Sequence, residues 1–199
     1  MPPYRPEFEP HSYLRRLPAE AYQGRAYVHW SMTMDDRKTG WLIPIFYYKL
    51  REILTHTAFR YGFCCPIYCC MPDHLHLLWV GILDTCDQRP ASRYFRRQLN
   101  PVLEKLGARF QKQSYDHVLR EEDRQHTGFE EVVEYIARNP ERGGLVQVGA
   151  FRNYPYTGCL VPGYPELSLW QDGFWDHFWR IYDSLRRNGL TRASDDESE

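Results

Sequence analysis

His74 and His76 stand two apart in an apolar run, Tyr68-Cys69-Cys70-Met71-Pro72-Asp73-His74-Leu75-His76-Leu77-Leu78-Trp79-Val80. Alternate side chains of a β-strand point the same way, so the two imidazoles share one face. Leu75, Leu77 and Trp79 share the other, which suits packing on a core. Two imidazoles fixed side by side on a rigid strand supply half of a divalent-metal site. Paired histidines also occur as satisfied surface or core residues, so the pair needs a partner elsewhere in the chain.

That partner is the segment Val133-Glu134-Tyr135-Ile136-Ala137-Arg138-Asn139-Pro140. Tyr135 and Asn139 are four apart, which on a helix places them one above the other at the edge of the apolar stripe. A phenol beside a two-histidine metal suggests covalent nucleophilic attack on a phosphodiester. The metal would polarise the phosphate and offset charge in the transition state. A phenol's ordinary pKa near 10 makes it a poor nucleophile at neutral pH, so metal and positioning must help. A phosphotyrosine link preserves the energy of the broken bond, and no G-x-x-x-x-G-K-[ST] loop is present to supply ATP chemistry. Tyr115 and His117, also two apart, form a rival phenol–base pair or shape the pocket. Asn139, just before Pro140, has a plainer reading as a helix cap.

The elements that must position these groups follow from periodicity. Residues 26–34 read as a strand, 35–40 as a turn, and 45–61 as a helix stopped by Gly62. Residues 64–70 and 74–82 read as strands separated by Met71-Pro72-Asp73. Ser92 is taken as the N-cap of a second helix. Residues 109–118 hold an ambiguous strand, and Gly128 to Arg138 a helix with the stripe Phe129, Val132, Val133 and Ile136, ended by Pro140. The order predicts an α+β, ferredoxin-like split βαβ domain with an antiparallel central sheet and helices on its faces. The expected division is an arm over 1–25, a catalytic domain over 26–158, an aromatic extension over 159–189 and a disordered acidic tail over 190–199. A packed C-terminal helix is the preferred reading of Trp170, Trp175 and Trp179, over base stacking.

The apolar fraction of 43% suffices for a sizeable core. No run of about 18 apolar residues reads as a membrane span, and the first residues lack the apolar region of a secretion signal. The expected place is the cytoplasm, with the nucleoid. The net charge of −1 conceals a mildly basic body: removing the four acids of Ser194 to Glu199 leaves 22 acids against 25 bases, a net of +3. Six cysteines fall mostly as neighbours, Cys64-Cys65 and Cys69-Cys70. Neighbours on a strand face opposite ways and cannot share one zinc, so core packing is the reading.

A nucleic-acid partner, which the mildly basic body permits, requires a basic groove and stacking surfaces. Arg93, Arg96 and Arg97 fall at i, i+3 and i+4 on the second helix, with Tyr94 and Phe95 between them. Arg15, Arg16, Arg25, Arg138 and Arg142 are further candidates for phosphate contact; a solvated surface is the plainer alternative.

Residues 71–78 resemble the HUH motif (His, bulky hydrophobic, His) of single-tyrosine transposases. The run from Tyr135 to Val146 resembles the nucleophile helix of their REP-associated branch, and Ser114 to Glu122 is similar to a third block. Together they span about residues 26–158 in the family's order. The resemblance implies an HUH fold that cuts and rejoins single-stranded DNA near a hairpin, as a monomer or homodimer. It carries His74 and His76 to metal ligation, Tyr135 to the nucleophile and Asn139 to a third ligand, with Mg²⁺ or Mn²⁺ as cofactor. Imidazole alone would favour softer ions, which makes manganese the better tolerated of the two. Asp73 departs from the branch's usual Glu or Asn, and either orients an imidazole or adds an oxygen ligand. Two alternatives stand beside this one: a non-catalytic hairpin-binding module of the same fold, and a zinc-dependent hydrolase using two histidines and a carboxylate.

Overall fold

Among the described residues five strands, none longer than nine residues, form the sheet: β1 (Tyr27–Thr33), β2 (Phe63–Met71), β3 (His74–Gly81), β4 (Tyr115–Leu119) and β5 (Thr157–Leu160). Helices α1 (Pro44–Tyr61), α2 (Gln88–Glu104), α3 (Thr127–Ala137), α4 (Asn139–Arg142) and α5 (Phe174–Asn188) fill the connections and the C-terminal end. This computed structural model describes residues 16–119 and 127–190. Arg15, the acidic tail from 191 onward, and Arg120, Glu121 and Glu122 of the third sequence block lie outside the described residues.

Local chemistry sets the element ends. Pro44 opens α1, where its fixed φ suits the first turn and its missing N–H costs nothing. Gly62 closes α1 in the left-handed region at φ 74°, donating its N–H to the Ala58 carbonyl at 2.9 Å. Pro72 and Asp73 alone separate β2 from β3, so the chain reverses sharply and His74 begins β3 opposite Met71.

The sheet order is β4-β1-β3-β2-β5, and every pairing is antiparallel. The first four strands with α1 and α2 make the split βαβ arrangement expected, and β5 adds to the open edge of β2. Strand alternation divides the core in two. On one face, Val28, Trp30, Met32, Leu75, Leu77 and Trp79 pack under α1 and α2. On the other, Leu78, Val80, Ile67, Cys69 and Met71 pack under α3 and α5, through Phe129, Ile136, Phe174, Phe178 and Ile181. The result is a helix–sheet–helix sandwich, shown here to be α+β with helices on both faces of an antiparallel sheet.

Several sequence expectations need correcting. Helix α2 begins at Gln88, not Ser92; the Asp87 carboxylate caps it by accepting the Arg89 N–H at 3.0 Å, and Ser92 is buried within the helix. Pro140 does not simply end a helix: α3 stops at Ala137, Arg138 leaves helical geometry, and Pro140 sits in the first turn of α4. The last residues assigned to the arm belong to the fold. Tyr22 is fully buried in the first core, its hydroxyl donates to Asp116 on β4, and Arg16 pairs with the same carboxylate at 3.5 Å. The boundary expected after 158 falls inside β5, and the aromatic extension supplies much of the second core. All six cysteines are free and buried, as core packing requires. No helix among the described residues is long and apolar enough to cross a membrane.

Candidate active site

Strand register gathers four histidines on the sheet face under α3. His76 on β3 lies opposite Ser31 on β1, and His29, two residues back on β1, lies opposite His117 on β4. Side chains on one face line up this way, so His29 and His76 are diagonal neighbours. Their rings meet: His29 Nε2 is 3.0 Å from His76 Nδ1. His76 Nε2 is in turn 3.0 Å from His74 Nε2, and His74 Nδ1 is 2.5 Å from Asp73 Oδ1. Arg37 completes the line, donating to Asp73 Oδ2 at 2.9 Å. Arg37 and its neighbour Asp36 both have left-handed backbone, at φ 53° and 50°, a conformation few side chains tolerate.

Burial fixes the charge state of this line. His29 and His76 are buried, which disfavours imidazolium. Burial, reinforced by His117 and His74, lowers the His29 pKa to about 3. Burial, then His29, His74 and Arg142, holds His76 well below its ordinary value. Asp73 stays below the usual carboxylate range because its bonds to His74 and Arg37 outweigh desolvation, the largest single influence, which acts the other way. The Asp73 carboxylate sits on the Nδ1 edge of His74, which turns its Nε2 toward His76.

Tyr135 stands over these rings. Its ring centroid is 5.5 Å from that of His76 and 5.8 Å from that of His29, edge-on to both. At 41% exposure it borders solvent, and the Arg142 guanidinium stacks 4.6 Å from its centroid. Asn139 is 7% exposed, and its Nδ2 donates to the Tyr135 carbonyl at 2.8 Å, the capping role of its plainer reading. Its Oδ1 is not engaged by that bond. Tyr115 and His117 lie on the same sheet face, but Tyr115 is two strands from His76, roughly 10 Å at ordinary strand spacing. The phenol brought against the histidine pair is that of Tyr135.

No protein-family model matches the chain, and no curated protein matches its sequence. Solved structures do match. One is a REP-associated tyrosine transposase bound to a REP hairpin, with a TM-score of 0.61 over 74% of this chain and 82% of that one, at 19% identity. The two share a fold. The likeness extends to the backbone, and the chemistry rests on this chain's own side chains.

The donor set fits a small divalent ion at the facing Nε2 atoms. Two ligands about 2.1 Å from one ion at right angles stand about 3.0 Å apart, the separation of His74 Nε2 and His76 Nε2. Asp73 is on the opposite edge of His74, so it acts as that ring's orienting partner. Among the described residues, no three His, Cys, Asp or Glu side chains converge as a cage, so further ligands would be amide, water or phosphate oxygens.

The arginines divide. Arg142 faces the site; Arg138 is held by Glu134 at 2.7 Å and Glu141 at 3.1 Å. Arg93, Arg96 and Arg97 lie on α2, across the sheet from the histidines, and Arg96 is spent on the Gln111 carbonyl. Trp175 and Trp179 pack on Phe129 within the second core, as the packing reading anticipated. Sequence reasoning missed His29 and Arg37. His29 is a lone polar residue in a strand, given a role only by cross-strand register; Arg37 is one of a run of polar turn residues, singled out only by its contact with Asp73.

Proposed function

We propose that the protein is a metal-dependent single-stranded DNA endonuclease and strand transferase acting near hairpins through a covalent 5′-phosphotyrosine. The observation that carries this reading is the Tyr135 ring against His76, on the one sheet face that also presents two facing imidazole nitrogens. The neighbour bound to a REP hairpin, which shares the fold, supports DNA as the partner.

In this reading the Tyr135 oxygen attacks phosphorus as its proton leaves. The bond to the 3′ oxygen breaks, giving a 5′-phosphotyrosine and a free 3′-hydroxyl. Rejoining reverses these steps and needs no ATP. His74 and His76, with Asn139 Oδ1, would hold Mg²⁺ or Mn²⁺. The bound ion would polarise the scissile phosphate and offset charge as the phenolate forms. Asp73 locks His74 with Nε2 exposed, and Arg37 secures Asp73. Arg142 covers the Tyr135 ring and offers N–H groups to a phosphate, with Arg138 behind it. Arg93 and Arg97 would meet only DNA that passes round the sheet edge. Phenol and histidines of one chain meet directly, which supports attack within a subunit, whether monomer or homodimer. Work on DNA in the cytoplasm, with the nucleoid, belongs to this reading.

Incubation with labelled hairpin DNA bearing a single-stranded flank, with Mn²⁺, should give a protein–DNA adduct that survives denaturation. Tyr135→Phe should abolish the adduct, Tyr115→Phe should retain it, and EDTA should prevent it. Cleavage persisting in Tyr135→Phe would point to the metal hydrolase. Hairpin binding with no adduct under Mg²⁺ or Mn²⁺ would point to a binding module and overturn the proposal.

A further inference from the structure

We propose that His29 is the positioning residue for His76, holding its ring and determining which nitrogen faces His74. This deepens the proposed function and rests on His74 and His76 as the metal ligands. A ligating histidine ordinarily donates its second N–H to a carboxylate, carbonyl or water, which fixes ring and tautomer together. His74 has such a partner in Asp73. For His76 the group in that position is His29, whose Nε2 lies 3.0 Å from His76 Nδ1 with ring centroids 5.1 Å apart.

A hydrogen bond between two imidazole nitrogens has a direction, one ring giving the proton and the other the lone pair. If His76 Nδ1–H donates to His29 Nε2, the His76 Nε2 lone pair faces His74 and the pair can ligate. The reverse direction puts a proton between the two ligating atoms and blocks the site. An acceptor at His29 therefore selects the ligating tautomer. No solvent replaces it easily, since both rings are buried. The Tyr135 ring meets both imidazoles in T-shaped contacts, so the same pair also seats the nucleophile.

The test is Mn²⁺ binding to the DNA-free protein, read by electron paramagnetic resonance, in wild type, His29→Gln, His29→Asn and His76→Ala. Thermal melting of each in EDTA reports folding. Glutamine can reach His76 Nδ1 with its amide oxygen; asparagine is one methylene short. Wild type and His29→Gln should bind Mn²⁺ within a few-fold of each other. His29→Asn should bind about 10- to 100-fold more weakly, the loss typical of an orienting partner, with its melting temperature close to that of His29→Gln. If His29→Asn binds like wild type while His76→Ala does not, the positioning role is wrong. Equal weakening in both His29 variants would likewise overturn it, because reach would not matter. If His76→Ala binds like wild type, the histidine metal site itself fails, a separate result.

Discussion

Lowering the pH from 7.5 to 5.0 in EDTA should destabilise the wild-type protein by about 2 kcal/mol more than His29→Gln. The sign follows from the depressed pKa of His29, about 3 in the folded chain against about 6.5 for a free histidine. Below pH 6.5 the unfolded chain takes up a proton that the folded one refuses, so stability present at neutral pH is lost as pH falls from 6.5 toward 3. At pH 5 the gap is about 1.5 pH units, worth about 2 kcal/mol at 1.36 kcal/mol per unit. His76 is shifted in the same direction, by burial first and then by His29, His74 and Arg142. A loss of about 2 kcal/mol is a sizeable share of the 5–15 kcal/mol typical of a domain. Urea unfolding of both proteins at the two pH values measures the difference. The carboxylates that drive ordinary acid unfolding are common to both and cancel. Losses equal within about 0.5 kcal/mol, ordinary surface-substitution noise, would mean that His29 is not held neutral, and the burial reasoning would fail.

Phe178→Ala, in α5, should lower stability by about 3–5 kcal/mol in urea unfolding, because the ring is fully buried in the second core. A loss under about 1 kcal/mol would make the C-terminal segment an accessory rather than part of the domain. Arg142→Ala should reduce adduct formation roughly tenfold, the value of one charge-assisted contact near 1.4 kcal/mol, with unchanged melting. Arg142→Lys should recover only part of that rate, since an ammonium keeps the charge but loses the planar stack on Tyr135; full recovery would remove stacking from the account.

What the sequence made legible was periodic or locally punctuated. The alternation from His74 to Val80 set β3 and its two faces; Gly62 marked the end of α1; the stripe from Phe129 to Ile136 gave α3 its buried side. What it hid depends on partners distant along the chain. His29 sits alone in Tyr27-Val28-His29-Trp30 and acquires meaning only when β1 lies between β3 and β4 in this register. The α2 arginines form a convincing stripe, yet which face of a sheet a crossover helix covers is not written in its own residues. The start of α2 was misplaced because Ser92 and Asp87 are both good caps, and only the Asp87 bond to Arg89 distinguishes them. The C-terminal aromatics looked like an appendage because the packing partners of Trp179, Phe129 and Tyr27, are 50 and 152 residues away.

Trp30, Trp79, Phe46, Phe63 and Phe95 all gather between the sheet and the helices α1 and α2, while every histidine of the candidate site looks the other way. The apolar side is therefore insulated from the reaction, and a designer can repack it or exchange its helices without touching a reacting group. The tolerance ends at the backbone. Sliding β1 by a single residue along β3 would turn imidazoles onto tryptophans and empty the opposite side at one stroke.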